Sequence, residues 1–169
     1  MHPIALARWI VKPAKPDDPA SKATRRKSPR KGQPLDIFAE LVSFPALIDN
    51  PNFTIEVLYT REEEVRKWDE KRMWRRKGWA TDYKTLLEVV DRQVFTNGAD
   101  FLTLLPSDLP ATFTTADLAN ACQCPLRLSQ RIAYCFKVMG LFQHIGMQGR
   151  GYLYQITDRD VAVGFSHSE

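Results

Sequence analysis

The hydrophobic pattern changes character along the chain. "RWIVK" (8–12) is a short strand-like run with no apolar partner nearby, and the "PAKPDDPASKATRRKSPRKGQP" that follows is rich in Pro, Ser, Lys and Arg without apolar periodicity. Such a segment buries too little apolar surface to offset its chain entropy, so residues 1–34 are expected to form a flexible arm. A strand placed ahead of a linker also suggests the tail of a longer protein. From Leu35 the pattern tightens. Leu35, Phe38, Leu41 and Val42 sit at helical spacing, and Phe44-Pro45 ends or kinks that helix because proline disfavours helical geometry in its predecessor. "NPNF" reads as a turn, and "FTIEVLYT" as a strand with Ile55, Val57 and Tyr59 on one face. A charge-dense run follows, and then "YKTLLEVVDRQVF", where Leu86, Val89 and Val90 fit a helix better than a strand. "TNGAD" (96–100) is a turn and the expected boundary.

Beyond that boundary the local signals come in an ordered series. "ADFLTLLPSDLP" offers a short apolar helix closed by Pro106. Thr114, followed three residues later by Asp117, has the form of a capping box opening a helix. Pro125 suits a first helical position, and "PLRLSQRIAYCFKVMG" ends at Gly140, a natural C-terminal cap. Leu128, Ile132, Cys135 and Met139 make a single buried stripe on that helix. "LFQHIGMQGRGYLYQI" then reads as strand, glycine-rich turn and strand, with Gly146, Gly149 and Gly151 permitting the tight connection.

Helix, helix, short turn, longer helix and hairpin, in that order, resemble the winged helix-turn-helix superfamily. The likeness covers about a third of the chain (about 99–156) and rests on "FTTADLANAC", "PLRLSQRIAYCFKVMGL" and "FQHIGMQGRGYLYQI". In that superfamily the third helix enters the major groove while the wing touches backbone or minor groove. The implied fold class is α+β, with a basic flexible arm (1–34), a small α+β unit (35–97), a C-terminal winged helix-turn-helix domain (98–158) and a tail (159–169). With the Leu128–Met139 stripe inward, a 3.6-residue helix turns Arg127, Gln130, Tyr134 and Lys137 outward, flanked by Ser129 and Arg131. Arginine suits guanine or phosphate and glutamine suits adenine, while Arg150 at the wing tip suits a phosphate or minor-groove contact. The resemblance implies double-stranded DNA as the partner, with a role as transcriptional regulator or targeting part of a DNA-processing system. Winged helices also serve as docking and dimerisation modules, so a homodimer or a partner protein is the alternative.

Charge sharpens this picture. The net +4 of the 169 residues divides into +7 over residues 1–34, −3 over 35–100 and 0 over 101–169. The first segment is therefore a generic polyanion binder or a solubilising linker. Locally, no acidic residue occurs from 118 to 157, which gives the outward face of the long helix a positive field. "MWRRKGW" (73–79) is a secondary nucleic-acid candidate: Trp74 and Trp79 bracket Arg75, Arg76 and Lys77, and both indole and guanidinium surfaces stack on bases. The competing reading has the indoles anchoring a loop while the cations reach into solvent.

Other chemistries find less support. Cys122 and Cys124 are too close for an ordinary disulfide or a paired zinc-ligand unit, and Cys135 falls on the apolar stripe, so reduced thiols and no metal site are expected. Glu40, Glu56, Asp82, Lys84 and Glu88 supply the residue types of a metal-dependent nuclease, but at generic spacing. There is no Gly-x-Ser-x-Gly and no glycine-rich phosphate loop, hence no catalytic residue or cofactor to name. No run approaches the roughly 18 apolar residues of a spanning helix, and Met1–Lys12 lacks the form of a secretory signal, so a cytoplasmic protein without membrane contact is expected.

Overall fold

Four strands, β1 (His2–Lys12), β2 (Thr24–Lys27), β3 (Ile55–Trp68) and β4 (Trp79–Phe95), form a mixed sheet in the order β2-β1-β3-β4 in the computed structural model, which describes residues 1–15, 18, 20–69 and 78–157. β1 runs parallel to β3, with Ile4 opposite Tyr59 and Ile10 opposite Glu64, and antiparallel to β2, with Ile10 opposite Arg26. The register slips between Ala5 and Ala7, so Leu6 is bulged. That extra residue puts Ile4 and Ala7, three apart, on one face of the strand, while Ile10, three further on along regular register, is buried on the other face. β4 is antiparallel to β3: the ion pairs Arg61–Glu88 and Lys67–Asp82 climb one strand as they descend the other.

Two expectations are corrected by this sheet. Residues 1–34 are not simply a flexible arm, because they supply β1 and β2. The polar β2 is held by its neighbours: Arg25 and Lys27 lie over the Trp9 ring at 5.2 and 5.6 Å, and Arg25 Nε meets Glu63 Oε1 at 2.7 Å. "YKTLLEVVDRQVF" is not a helix but most of β4. Its helical-looking apolar spacing arises because the strand is exposed on both faces, so burial imposes no two-residue alternation.

The chain divides into two units, each made of two stretches. The sheet unit comprises Met1–Pro34 and Glu56–Gln93, and the second unit comprises Leu35–Ile55 and the chain from Val94 onward. The expected 35–97 unit is therefore split, and the "TNGAD" boundary falls a few residues late.

In the second unit a 3-10 turn (Pro34–Ile37) leads into α1 (Phe38–Leu41), a shorter helix than the spacing of Leu35 to Val42 predicts. Phe44-Pro45 ends it as expected, and a second 3-10 turn spans Pro45–Asp49. Asn97 and Asp100 cap each other at the start of a 3-10 helix, Gly98–Leu104. Then come β5 (Thr112–Thr114), α2 (Thr115–Ala121), α3 (Leu126–Val138), β6 (Phe142–Gln148) and β7 (Gly151–Ile156), the strands pairing in the order β5-β7-β6. The core is a run of phenylalanines. Phe95 stacks on Phe101 at 4.1 Å, Phe38 lies 5.8 Å from Phe101 and 5.1 Å from Phe136, and Phe142 lies 4.7 Å from Phe136 and 5.0 Å from Phe113. Each fully buried ring contributes roughly 1.5–3 kcal/mol of transfer free energy, so this contiguous stack is what α3 rests on. Among the described residues no helix is long and apolar enough to cross a membrane.

Candidate nucleic-acid interface

α2 and α3 are positioned by local chemistry. Thr114 Oγ1 accepts the Asp117 N–H at 3.3 Å, while the Asp117 carboxylate accepts the Thr114 N–H and hydroxyl, each at 2.8 Å. This reciprocal pair satisfies main-chain donors that the first turn of a helix otherwise leaves open. The Thr114 main-chain bond first, and then its hydroxyl, hold the Asp117 carboxyl below its ordinary value. The connection to α3 turns on Gln123, at φ +49, with the Cys122 and Cys124 N–H groups donating back to Leu118 and Ala119 carbonyls. α3 ends in a Schellman arrangement: Leu141 N–H donates to Phe136 O at 2.8 Å and Gly140 N–H to Lys137 O at 3.1 Å, with Gly140 at φ +70.

The buried face of α3 is broader than the expected stripe. Leu128, Ile132, Cys135 and Met139 are buried, and so are Ser129, Ala133 and Phe136. Ser129 is consequently corrected. Its side chain does not flank an outer surface but is fully buried, with Oγ 2.7 Å from the Thr115 carbonyl and 2.8 Å from the Leu126 carbonyl, tying α3 to α2. Arg131 is half-buried and donates from Nη1 to the Ala39 carbonyl at 3.5 Å, so it braces α1.

What remains outside is one stripe. Arg127, Gln130, Tyr134 and Lys137 are all exposed and follow one another at helical spacing along α3. Arg127 and Lys137 form no ion pair with another described residue. Arg150 is exposed in the two-residue turn between β6 and β7, where Gln148 faces Gly151 and Gly149 takes φ +63. Apolar groups share this unit's surface: Leu126, Met147 and Tyr152 are exposed, and His144 meets the Tyr152 ring edge-on at 4.9 Å.

The remaining candidates fall elsewhere. Trp74, Arg75, Arg76 and Lys77 lie outside the described residues. Trp79 packs edge-on against Trp68 at 5.5 Å with Lys12 4.9 Å from its ring centre, an anchoring role on the sheet. The candidate nuclease carboxylates are dispersed: Glu56 pairs with Arg92, Asp82 with Lys67 and Glu88 with Arg61, while Glu40 belongs to the other unit. Burial raises the Cys135 thiol to about 12, with Arg131 opposing it weakly, and raises Cys122 to about 11, helped by Cys124 and Asp108. Both thiols stay protonated at neutral pH and are poor nucleophiles.

A feature of the sheet unit was not apparent from composition. Arg8, Arg26, Arg30 and Arg66, with Ser28 and Glu64, line a cleft of about 350 Å³. Burial alone would raise the Glu64 carboxyl, but hydrogen bonds from Arg66 (2.8 Å) and Thr81 (3.0 Å) and the charges of Arg66 and Arg8 hold it below its ordinary value. Arg8 is partly neutralised by Glu62 at 3.1 Å, whereas Arg26 and Arg30 have no carboxylate partner among the described residues. The signal available in the sequence was the alternation of Arg8 with Ile10 and of Glu62 with Glu64 and Arg66 along two strands, hidden while 1–34 read as an arm.

A family model described as "Domain of unknown function (DUF8091)" matches residues 1–96, which contain the sheet unit. A protein of Treponema pallidum (strain Nichols) carrying the description "Uncharacterized protein" is 28% identical over 120 residues, covering 68% of this chain. The chain spans about half, 48%, of the length of that relative. No solved structure matches.

Proposed function

The chain belongs to the DUF8091 family, and we propose that its second unit is a winged helix-turn-helix that binds double-stranded DNA, α3 entering the major groove and the β6–β7 hairpin touching the backbone. The observation that carries this is the exposed stripe Arg127, Gln130, Tyr134 and Lys137 on α3, two cations without an ion pair among the described residues, in a stretch from 118 to 157 free of acidic side chains. Arg127 and Gln130, near the start of the helix, suit base edges. Lys137 and Arg150 suit phosphates, and Arg131 acts through its hold on α1. The order β5-α2-α3-β6-β7 with sheet order β5-β7-β6 supports the winged-helix reading, since it places a short strand before the two helices beside the second wing strand. The role that follows is that of a cytoplasmic transcriptional regulator or the targeting part of a DNA-processing system.

A second reading draws on a separate observation: Leu126, Met147 and Tyr152 are large apolar side chains exposed on the same unit, the residue type from which a docking surface is built. Fluorescence anisotropy on labelled duplex and single-stranded oligonucleotides distinguishes the two. DNA binding predicts duplex affinity that falls steeply with salt and is lost in Arg127→Ala/Lys137→Ala. The docking reading predicts no anisotropy change at any salt concentration.

A further inference from the structure

Of the two edge strands of the sheet, β2 is four polar residues, whereas β4 is long and carries apolar side chains along its exposed middle. It is the outermost strand on its side, and every residue from Asp82 to Arg92 is exposed. Tyr83, Leu86, Leu87, Val89 and Val90 are 41–57% exposed, and they divide between both faces of the strand, so neither face is turned to a core. An outer strand presents a row of main-chain N–H and C=O groups ready to pair, and proteins blunt such edges with proline, bulges, short length or charged side chains, of which β4 has the last, Lys84 and Glu88 among them. β4 is 17 residues long and contains neither proline nor glycine.

Its sequence is also self-complementary. Antiparallel pairing of two copies about a two-fold axis through Leu86 sets Leu86 against itself and, twice each, Lys84 against Glu88, Tyr83 against Val89 and Thr85 against Leu87. The same register also sets Asp82 against Val90, while the neighbouring axis through Leu87 gains an Asp82–Arg92 pair but sets Lys84 against Val90 and Tyr83 against Asp91. Through Thr85, Asp82 meets Glu88; through Leu87, Leu86 meets Glu88; through Glu88, that carboxylate meets itself and Lys84 meets Arg92. Glu88 Oε2 accepts from Arg61 Nη1 at 2.7 Å, so this carboxylate is already held on β4 by its neighbour in β3.

We propose that β4 pairs with β4 of a second copy of this chain, antiparallel and centred on Leu86, joining the two sheets into one. The partner is a second copy because the Leu86 register opposes Lys84 to Glu88 twice, pairs Tyr83 with Val89, and leaves fewer charged groups against apolar or like-charged ones than its neighbours. The inference concerns the sheet unit and is independent of DNA binding.

Sedimentation equilibrium of the full chain, with Lys84→Glu, Glu88→Lys and the Lys84→Glu/Glu88→Lys double variant, tests it. The chain is expected to show a reversible monomer–dimer equilibrium. Either single charge reversal is expected to weaken dimerisation about tenfold or more, since two pairs per dimer become repulsive, and the double variant to recover most of that loss. Both side chains are exposed, and unchanged circular dichroism establishes that the variants fold. A chain that stays monomeric up to about 100 μM, an association indifferent to the single reversals, or a double variant as weak as the singles overturns the proposal.

Discussion

Ser129 and Gln130 are adjacent in sequence, yet one is buried and the other exposed on α3, and Ser129→Ala separates the structural role of the first from the DNA contact proposed for the second. The substitution removes one oxygen that lies 2.7 Å from the Thr115 carbonyl and 2.8 Å from the Leu126 carbonyl, in a fully buried position. A hydroxyl carries one proton, so a single hydrogen bond is lost, worth about 1 kcal/mol, with about 1.5 kcal/mol as the upper end. Both carbonyls sit inside helices, where the main-chain ladder supplies another donor, so neither incurs the full cost of an unsatisfied buried group. Alanine's better helix propensity returns up to about 0.5 kcal/mol. The expected net loss is therefore about 0.5–1 kcal/mol, read as a lower urea midpoint with an unchanged slope. Duplex affinity, measured well below the midpoint, is expected to stay within about twofold, because no atom on the exposed stripe has moved. Gln130→Ala is expected to do the reverse: stability within about 0.5 kcal/mol and weaker duplex binding. If Ser129→Ala left stability untouched and weakened DNA binding severalfold, α3 would be rotated about its axis and the site assignment would be wrong.

Gly140 adopts φ +70 with nothing within 4 Å of where a Cβ would stand, so Gly140→Ala is a purely conformational perturbation. It is expected to cost about 1 kcal/mol by urea unfolding, and Gly140→Asn less, because asparagine tolerates the left-handed region. The Asp117 carboxyl is held down chiefly by the Thr114 main-chain N–H, and Asp100 chiefly by the Thr96 main-chain N–H. Each group has a folded-state pKa below its unfolded value, so its contribution is present above about pH 4 and disappears as pH falls through the folded value. Asp117→Asn is expected to reduce stability at pH 7 and to flatten the acid limb of a stability–pH curve. Glu64→Gln is expected to destabilise the chain at neutral pH, since Arg66 and Arg8 lose a charged acceptor that is 7% exposed. Chemical denaturation at pH 7 checks this, and Thr81→Ala, which removes one neutral donor to the same carboxylate, is expected to cost less.

The second unit was largely legible because its determinants are local. The Thr114–Asp117 capping box, the cap at Gly140 and the tight Gly149-Arg150 turn each need only a few adjacent residues, and all three appear as the sequence suggests. The sheet unit was hidden because its determinants are remote. β1 finds its parallel partner more than fifty residues on, and the Leu6 bulge breaks its two-residue alternation, so only "RWIVK" reads as strand-like and nothing nearby shows what it pairs with. β4 misled for the opposite reason: with both faces outward, Leu86, Val89 and Val90 take whatever spacing they have, and that spacing mimics a helix. At the candidate site, Arg127, Gln130, Tyr134 and Lys137 follow directly from helical phase. Ser129 did not, because a stripe defined only by apolar residues cannot reveal that a serine hydroxyl closes the contact with α2.

The exposed face of α3 is proposed to meet duplex DNA. That contact is tested most directly by anisotropy titration of one labelled duplex across a salt series with the wild-type chain and Arg127→Ala/Lys137→Ala. Wild-type affinity is expected to fall steeply as salt rises, and the double variant to bind more weakly, with the slope of log affinity against log salt shallower by roughly one per phosphate contact removed. Equal affinities and equal slopes for the two proteins would contradict the proposed contact.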